Sequence, residues 1–452
     1  MTVGQQEPQV RWRIMALVSV CFLLTSTGYL SWVYHLVELV SGSSADTLSM
    51  VGGYVLQAVG ITVYMRAGHT QSGWRLRHMT LLALLLYVLC LAPATLASNL
   101  ETTLAFGFLS NLLCGLIAGH YLHVLAIGLA PGHRASAFGT GYAIATLLGW
   151  LLSLVQGGML VRGVPSLLVC ATLAAVAAPL LAHGASTPEQ ADGAPEKRDL
   201  PRETILLACS TVVLASVVKN LGYSFPTEDL STGVNLELSR LFYGIGLVAA
   251  GVVGDKNRRY GELCCAAALV MPFLLLALQG ASAPGTVLWA VDYLLYGFFS
   301  VFRVTLLADL AAEAGKPWMA GAGLMLGRVG DAAGTALCTA LTASPLVLVT
   351  TTALLFAGTI ALFFLLDQQV FAVMPVRELS ERERFDRFAA HHDLSPRERE
   401  VLRLMLAERS NAEIASELFV SEATVKFHVR NVLKKTGCRT RVEVMASYAQ
   451  GV

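Results

Sequence analysis

Charge is scarce in this chain. Asp, Glu, Lys and Arg make up 14% of its 452 residues, against roughly 25% in soluble domains. With 55% hydrophobic residues and a mean hydropathy of +0.61, that scarcity excludes an ordinary soluble domain for most of the length. Metal and disulfide patterns are also missing. Eight of the nine cysteines lie in apolar runs, Cys438 lies near the end, and no C-x-x-C or Cys/His ligand spacing occurs. Small apolar packing residues are the reading that remains, with no metal and no cofactor expected. The chain contains no G-x-x-x-x-G-K-[ST] and no nucleophile–base–orienter set, which leaves an enzyme the least supported class. Nor does it open like a secretory leader. Arg11 and Arg13 precede an apolar stretch from Ile14 to about Val33, longer than the roughly 7–15 residues of a leader core, so a first membrane span is expected.

What is present is a succession of apolar runs of the roughly 20 residues needed to cross a bilayer. Six fall near 14–36, 47–65, 79–97, 104–128, 136–157 and 165–183. Six more fall near 204–222, 238–254, 262–280, 286–308, 319–341 and 345–366. Between the sets, the Pro-, Gly- and charge-rich stretch from His183 to Glu203 has no apolar face and reads as a solvated linker. Charge returns densely from Arg377 onward. The expected domains are therefore 1–183, a linker at 184–203, 204–366, a connector at 367–393, and a terminal domain at 394–452.

Loop charges orient this arrangement. Arg11, Arg13, Arg66, Arg75, Arg77, Arg134, Lys197, Arg198, Arg202, Lys256, Arg258, Arg259 and Lys316 fall on one side of a twelve-span chain. Glu38, Asp46, Glu101, Glu228, Asp229 and the single cation Arg162 fall on the other. The positive-inside rule then places both termini in the cytoplasm of a multi-pass inner-membrane protein. Six plus six spans around a long central loop resemble the major facilitator superfamily. Gly251-Val-Val-Gly-Asp255-Lys256-Asn-Arg258-Arg259 is similar to that family's loop motif, without the usual glycine after Asp-Lys. The matching place in the first half, Ile61 to Arg77, has the basic residues but no Asp. The resemblance implies a transporter-like fold.

An ionisable side chain inside a span is costly and is a functional hypothesis by default. Arg328 and Asp331, three residues apart on one face of the eleventh run, are either a self-neutralising structural pair or part of a pocket for a polar ligand. Lys219 either snorkels outward or pairs with Asp292 across the bundle, and Arg303 reads as an interfacial anchor. The candidate ligand pocket is thus Arg328, Asp331, Asp292 and Lys219. His120, Tyr121 and His123 read as polar packing, and Asn111 as an interhelical hydrogen-bond partner.

The terminal segment is a run of capped helices. Ser395-Pro396-Arg397-Glu398 and Ser410-Asn411-Ala412-Glu413 are capping boxes, and Ser421 caps a third helix that stops at Gly437. A break of about three residues between the second and third helices fits helix-turn-helix geometry. Val401, Leu402, Leu406, Ile414, Leu418, Val425, Val429 and Leu433 supply the interhelical apolar contacts. In the connector, Leu379, Phe385 and Phe388 among alternating charges predict a short amphipathic helix. Along the third helix, Lys426, Arg430 and Lys434 recur every four residues with Lys435 beside them, a cationic face suited to phosphates and base edges.

These residues closely resemble the LuxR-type helix-turn-helix family over about Leu394 to Tyr448, through S-P-R-E-R-E-V-L, S-N-x-E-I-A and S-E-x-T-V-K-x-H-V. The resemblance implies that Lys426, Phe427 and Arg430 face the major groove and that Asn431, Lys434 and Lys435 contact phosphates. It also implies a homodimer on double-stranded promoter DNA through the final helix, with Val442, Val444, Met445 and Tyr448. The expected fold is all-α: a polytopic, major-facilitator-like membrane bundle of twelve spans, then a small four-helix LuxR-type domain. The expected function is a membrane-bound transcription regulator responding to an unknown small-molecule effector or membrane signal. The alternative is a working secondary transporter with an attached regulatory domain.

Overall fold

The computed structural model describes residues 3–40, 42–71, 73–155, 159–182, 200–224, 236–271, 285–341, 343–371 and 381–450. Regular structure among them is entirely helical, and the chain divides into two compact units, 1–374 and 375–452. Most of the central linker, Glu228, Asp229, Leu379 and residues 272–280 of the ninth apolar run lie outside the described residues.

The first unit follows the apolar runs. Its first half contains α1 (Val3–Leu39), α2 (Tyr54–Thr70), α3 (Gly73–Leu96), α4 (Leu100–Gly128), α5 (Pro131–Leu154) and α6 (Gly163–Ala182). The second half contains α7 (Arg202–Ser224), α8 (Leu236–Lys256), α9 (Arg258–Ala268), α10 (Gly285–Glu313), α11 (Ala322–Leu341) and α12 (Pro345–Leu366). Among the described residues, nine helical stretches are long and apolar enough to cross a membrane. They comprise α1 to α7, α10 and α12. The apolarity of α11 is diluted by Arg328, Asp331 and four glycines, while α8 and α9 border residues outside the description. A π-helical stretch, Leu48–Gly53, leads into α2 where the sequence predicts an uninterrupted span. Such a turn widens the helix locally and often marks a functional position.

The halves meet along two helix pairs, α5 with α8 and α2 with α11. Small residues make the first seam possible. A Cβ on Gly139 would press on the Leu247 carbonyl, and one on Gly251 would lie 2.7 Å from the Cα of Ser136. Close backbone approach of this kind gives membrane helices their packing, since lipid removes the hydrophobic drive between them. One large core cluster accordingly draws on both halves, from Val18, Ile117 and Phe138 to Leu247, Val304 and Leu324.

One loop charge takes a different role from that expected. Arg134 is in the first turn of α5 and is buried, donating to Asp309 at 2.9 Å and to the Leu129 and Ala126 carbonyls. Arg258 contacts the same Asp309 and the Pro131 carbonyl. Asp255, from the motif between α8 and α9, accepts from the Ala135 and Ser136 amides at 2.9 and 3.0 Å. A carboxylate at a helix N-terminus satisfies orphan donors and complements the helix dipole. The motif therefore ties the second half to the start of α5 in the first. Pairing makes burial of Arg134 tolerable, which its place between two apolar runs did not reveal.

The second unit contains α13 (Glu381–His391), α14 (Pro396–Leu406), α15 (Asn411–Glu417), α16 (Glu422–Thr436) and α17 (Arg441–Gln450). Its core collects Phe385, Phe388, Val401, Leu402, Ile414, Val425, Val432 and Val444. The connector expected at 367–393 is thus divided. Asp367–Phe371 continues α12 as a π-helical turn, whereas the amphipathic helix α13 buries Phe385 and Phe388 in the second unit.

Candidate functional site

The helix-turn-helix is built by its caps. Ser395 accepts from the Glu398 amide and Glu398 accepts from the Ser395 amide, and Ser410 and Glu413 repeat the exchange. Ser421 accepts from the Thr424 amide at 3.1 Å and so starts α16. Gly437, at φ +71°, ends α16 in the left-handed region that glycine occupies without a Cβ penalty. Between α15 and α16, Phe419 adopts φ +54° and is 95% exposed. Arg397 donates to the Leu418 carbonyl, fixing α14 against the end of α15.

With Val425 and Val432 buried, the opposite face of α16 is directed outward and carries Lys426, Phe427, Arg430 and Lys434, all exposed. Asn431 is half-buried beside them. Lys426 pairs with Glu422 one turn earlier at 3.0 Å, an exposed contact worth little. Lys435 points elsewhere. Its Nζ donates to Glu398 Oε2 at 2.7 Å and to the Asp393 carbonyl at 2.8 Å, bracing α16 on α14. Burial acts to raise the Glu398 carboxyl, but hydrogen bonds from Lys435 and Ser395 outweigh it and hold the group below its ordinary value of 4.5. In α17, Val442 is exposed and Met445 half-buried, while Tyr448 meets Phe388 edge-on at 5.5 Å. The candidate dimer helix is therefore also the seat of α13.

The polar core of the first unit is arranged differently from the sequence expectation. Asp331 binds Arg303 at 2.9 Å, while Arg328, its neighbour on α11, reaches the same oxygen at 3.6 Å. Arg303, read from sequence as an interfacial anchor, is 4% exposed and belongs to this site. Its partner is 28 positions away on another helix, a spacing no helical periodicity exposes. A charge inside the run 286–308 was the signal available. Lys219 does not snorkel: its Nζ donates to the Tyr296 hydroxyl at 2.8 Å and lies 4.2 Å from that ring's centroid. Asp292 is buried in α10. Arg328 packs over Tyr54 at 4.3 Å, and Asn220 donates to the Asp331 carbonyl.

A small cavity of about 30 Å³ opens beside these groups between the halves. Phe22, Gln57, Tyr121, Phe138 and Tyr142 line it from the first half, and Ser300, Arg303, Leu324 and Arg328 from the second. His120 and His123 both meet the Tyr64 hydroxyl, at 3.2 and 3.1 Å, and Gln57 donates to Asn111 at 2.7 Å. These are packing contacts, and no cluster with metal-ligand composition occurs among the described residues.

Comparison with known proteins separates the two units. Residues 392–448 match the model of a family described as bacterial regulatory proteins, luxR family. The spore germination protein GerE of Bacillus subtilis is 44% identical over 52 residues, which are 12% of this chain and 70% of that protein. The nitrate/nitrite response regulator NarP of Escherichia coli is 40% identical over 86 residues, 18% of this chain and 39% of NarP. The bundle is similar to the solved structure of the human organic anion transporter MFSD10, with a TM-score of 0.54 and 16% identity over 81% of this chain and 99% of that one. It is also similar to the major facilitator superfamily transporter FucP in its outward conformation, with a TM-score of 0.56 and 13% identity over 78% and 97% of the two chains. At these identities the likeness is one of fold.

Proposed function

Because the chain belongs to the luxR family of bacterial regulatory proteins through its C-terminal domain, we propose that it is a one-component regulator. In this reading a major-facilitator bundle senses a small molecule and governs promoter binding by the attached helix-turn-helix. The observation that carries the proposal is the outward face of α16, with Lys426, Phe427, Arg430 and Lys434 exposed on a fully capped helix. Cations on such a face neutralise phosphates, and an Arg can read guanine in the major groove. Lys426, Phe427 and Arg430 contact bases, while Asn431 and Lys434 contact the backbone. Lys435 was assigned to phosphate as well, and its bonds to Glu398 and Asp393 favour a bracing role instead. A homodimer forms through α17 at Val442 and Met445, on a two-fold operator. Both termini lie in the cytoplasm of an inner-membrane protein, as the loop charges favour.

Purified residues 375–452, which have their own closed core, are expected to bind promoter fragments specifically. Replacing Lys426 and Arg430 by Ala together is expected to weaken that binding by at least ~30-fold, since each base or phosphate contact is worth roughly 1–3 kcal/mol. Electrophoretic mobility shift at fixed salt measures it, and unaltered affinity would reject the assignment. A second reading, that the bundle also transports, is favoured by the cavity that both halves line. It requires solute flux in proteoliposomes that is lost with Arg303→Gln.

A further inference from the structure

We infer that Glu262 on α9 is a proton-binding site whose charge state governs the Arg259–Asp367 ion pair at the end of the bundle. The inference goes beyond the sensing role proposed above and does not depend on it. Its first ground is burial without a partner. Glu262 is 4% exposed, and neither of its carboxyl oxygens has a hydrogen-bond partner. It precedes by one turn Cys265, which with Leu269 enters an apolar cluster with Phe302, Leu306, Phe363 and Leu366. An isolated carboxylate is too costly to leave charged in such surroundings and takes up a proton instead. Release of that proton then falls near neutral pH rather than in the acid range of an exposed glutamate.

The second ground is what an ionised Glu262 would meet. Arg259 lies three positions earlier, on the same side of α9, and binds Asp367 through two nitrogens. Asp367 directly follows Leu366 of the apolar cluster. Other ionisable groups on the elements packed against α9 have partners of their own or face water. The C-terminal half of α10 carries Arg303, bound to Asp331, then Asp309, bound to Arg134 and Arg258, and ends at Glu313. At the α9 end of α8, Asp255 takes the Ala135 and Ser136 amides and Lys256 is exposed, while α12 has no ionisable side chain. Asp367 and Arg259 are thus the charges that act on Glu262. A neutral Glu262 leaves Arg259 to Asp367. An ionised one competes for that guanidinium across one turn and repels the Asp367 carboxylate. The pair is therefore firm at low pH and loosens as pH rises through release of the Glu262 proton. With the Arg259 side chain 69% exposed, the pair is weak enough to respond.

Infrared difference spectra of the full-length chain in lipid nanodiscs, taken in steps from pH ~6 to ~9, read the carbonyl stretch of protonated carboxyls. An exposed glutamate is already ionised over that interval. A band that disappears with rising pH and is missing from Glu262→Gln is expected. Hydrogen exchange at residues 367–371, corrected for the intrinsic pH dependence of exchange, follows the ion pair. Protection there is expected to fall ~2- to 5-fold across the interval in the parent, the scale of an exposed pair. In Glu262→Gln it should stay at the low-pH level, and in Arg259→Gln at the reduced level throughout. Asp367→Asn leaves Glu262 in place and should move the midpoint of its band to lower pH, because a repelling neighbour is gone. Identical spectra for the parent and Glu262→Gln, or an unmoved midpoint in Asp367→Asn, overturn the inference. So does protection at 367–371 that is constant with pH in the parent, or that still falls in Glu262→Gln.

Discussion

Lys434 and Lys435 illustrate how far adjacent residues of one type diverge. Lys434 is exposed on the outward face of α16, whereas Lys435 is bonded to Glu398 and Asp393. Lys434→Ala is expected to leave urea unfolding of residues 375–452 unchanged and to reduce the salt slope of DNA binding by about 1. Glu398→Gln is expected to lower stability by about 1.5–3 kcal/mol, the range for hydrogen bonds to charged groups, because it weakens both the brace and the cap. The acid dependence follows from the sign of the shift. A carboxyl held below 4.5 contributes fully above that pH and loses its contribution as pH falls through its folded value. Parent and Glu398→Gln stabilities should therefore converge on acidification below about 4.5. Parallel pH profiles in urea titrations would reject that role for Glu398.

At the level of elements, the caps were legible because they are local. Ser395 and Glu398, or Ser410 and Glu413, exchange hydrogen bonds across three positions, so spacing alone reveals them. The amphipathic helix α13 was legible for the same reason, from Phe385 and Phe388. Contacts between helices were not. Arg303 with Asp331, Arg134 with Asp309, and Phe388 with Tyr448 join distant positions, and each side chain taken singly permits an interfacial or solvated reading. The last pair makes α13 an integral part of the DNA-binding unit rather than a spacer. Phe388→Ala should cost that unit about 3–5 kcal/mol, the usual penalty for emptying a buried aromatic site. Residues 392–452, without α13, should melt well below 375–452 in circular dichroism, and equal melting would show that α13 adds nothing.

For the whole molecule, the apolar runs and the return of charge at Arg377 disclosed a membrane bundle with a terminal regulatory domain. The seam between the halves was hidden, because a glycine in an apolar helix announces no partner. The combination constrains where regulation occurs. A chain that is both multi-pass and DNA-binding must act on operators brought to the bilayer. A fluorescently marked operator array should therefore co-localise with the membrane in cells making the full chain and disperse in cells making only 375–452. Dispersed arrays with the full chain would point to release of the tail.

The end of α12 gives this arrangement a mechanical reading. Asp367, the first residue of the π-helical turn after α12, is gripped by both Arg259 Nε and a terminal nitrogen, at 2.7 and 2.9 Å. Arg259 adjoins Arg258 and lies four residues beyond Asp255, the two side chains that clasp the start of α5. An exposed ion pair of this kind holds with only about 0–1 kcal/mol, so it acts as a catch rather than a weld. Separating the halves at this loop would have to carry the last turn of the bundle along or slip the catch. The last turn of the bundle is thus held to the same loop that clasps its first half.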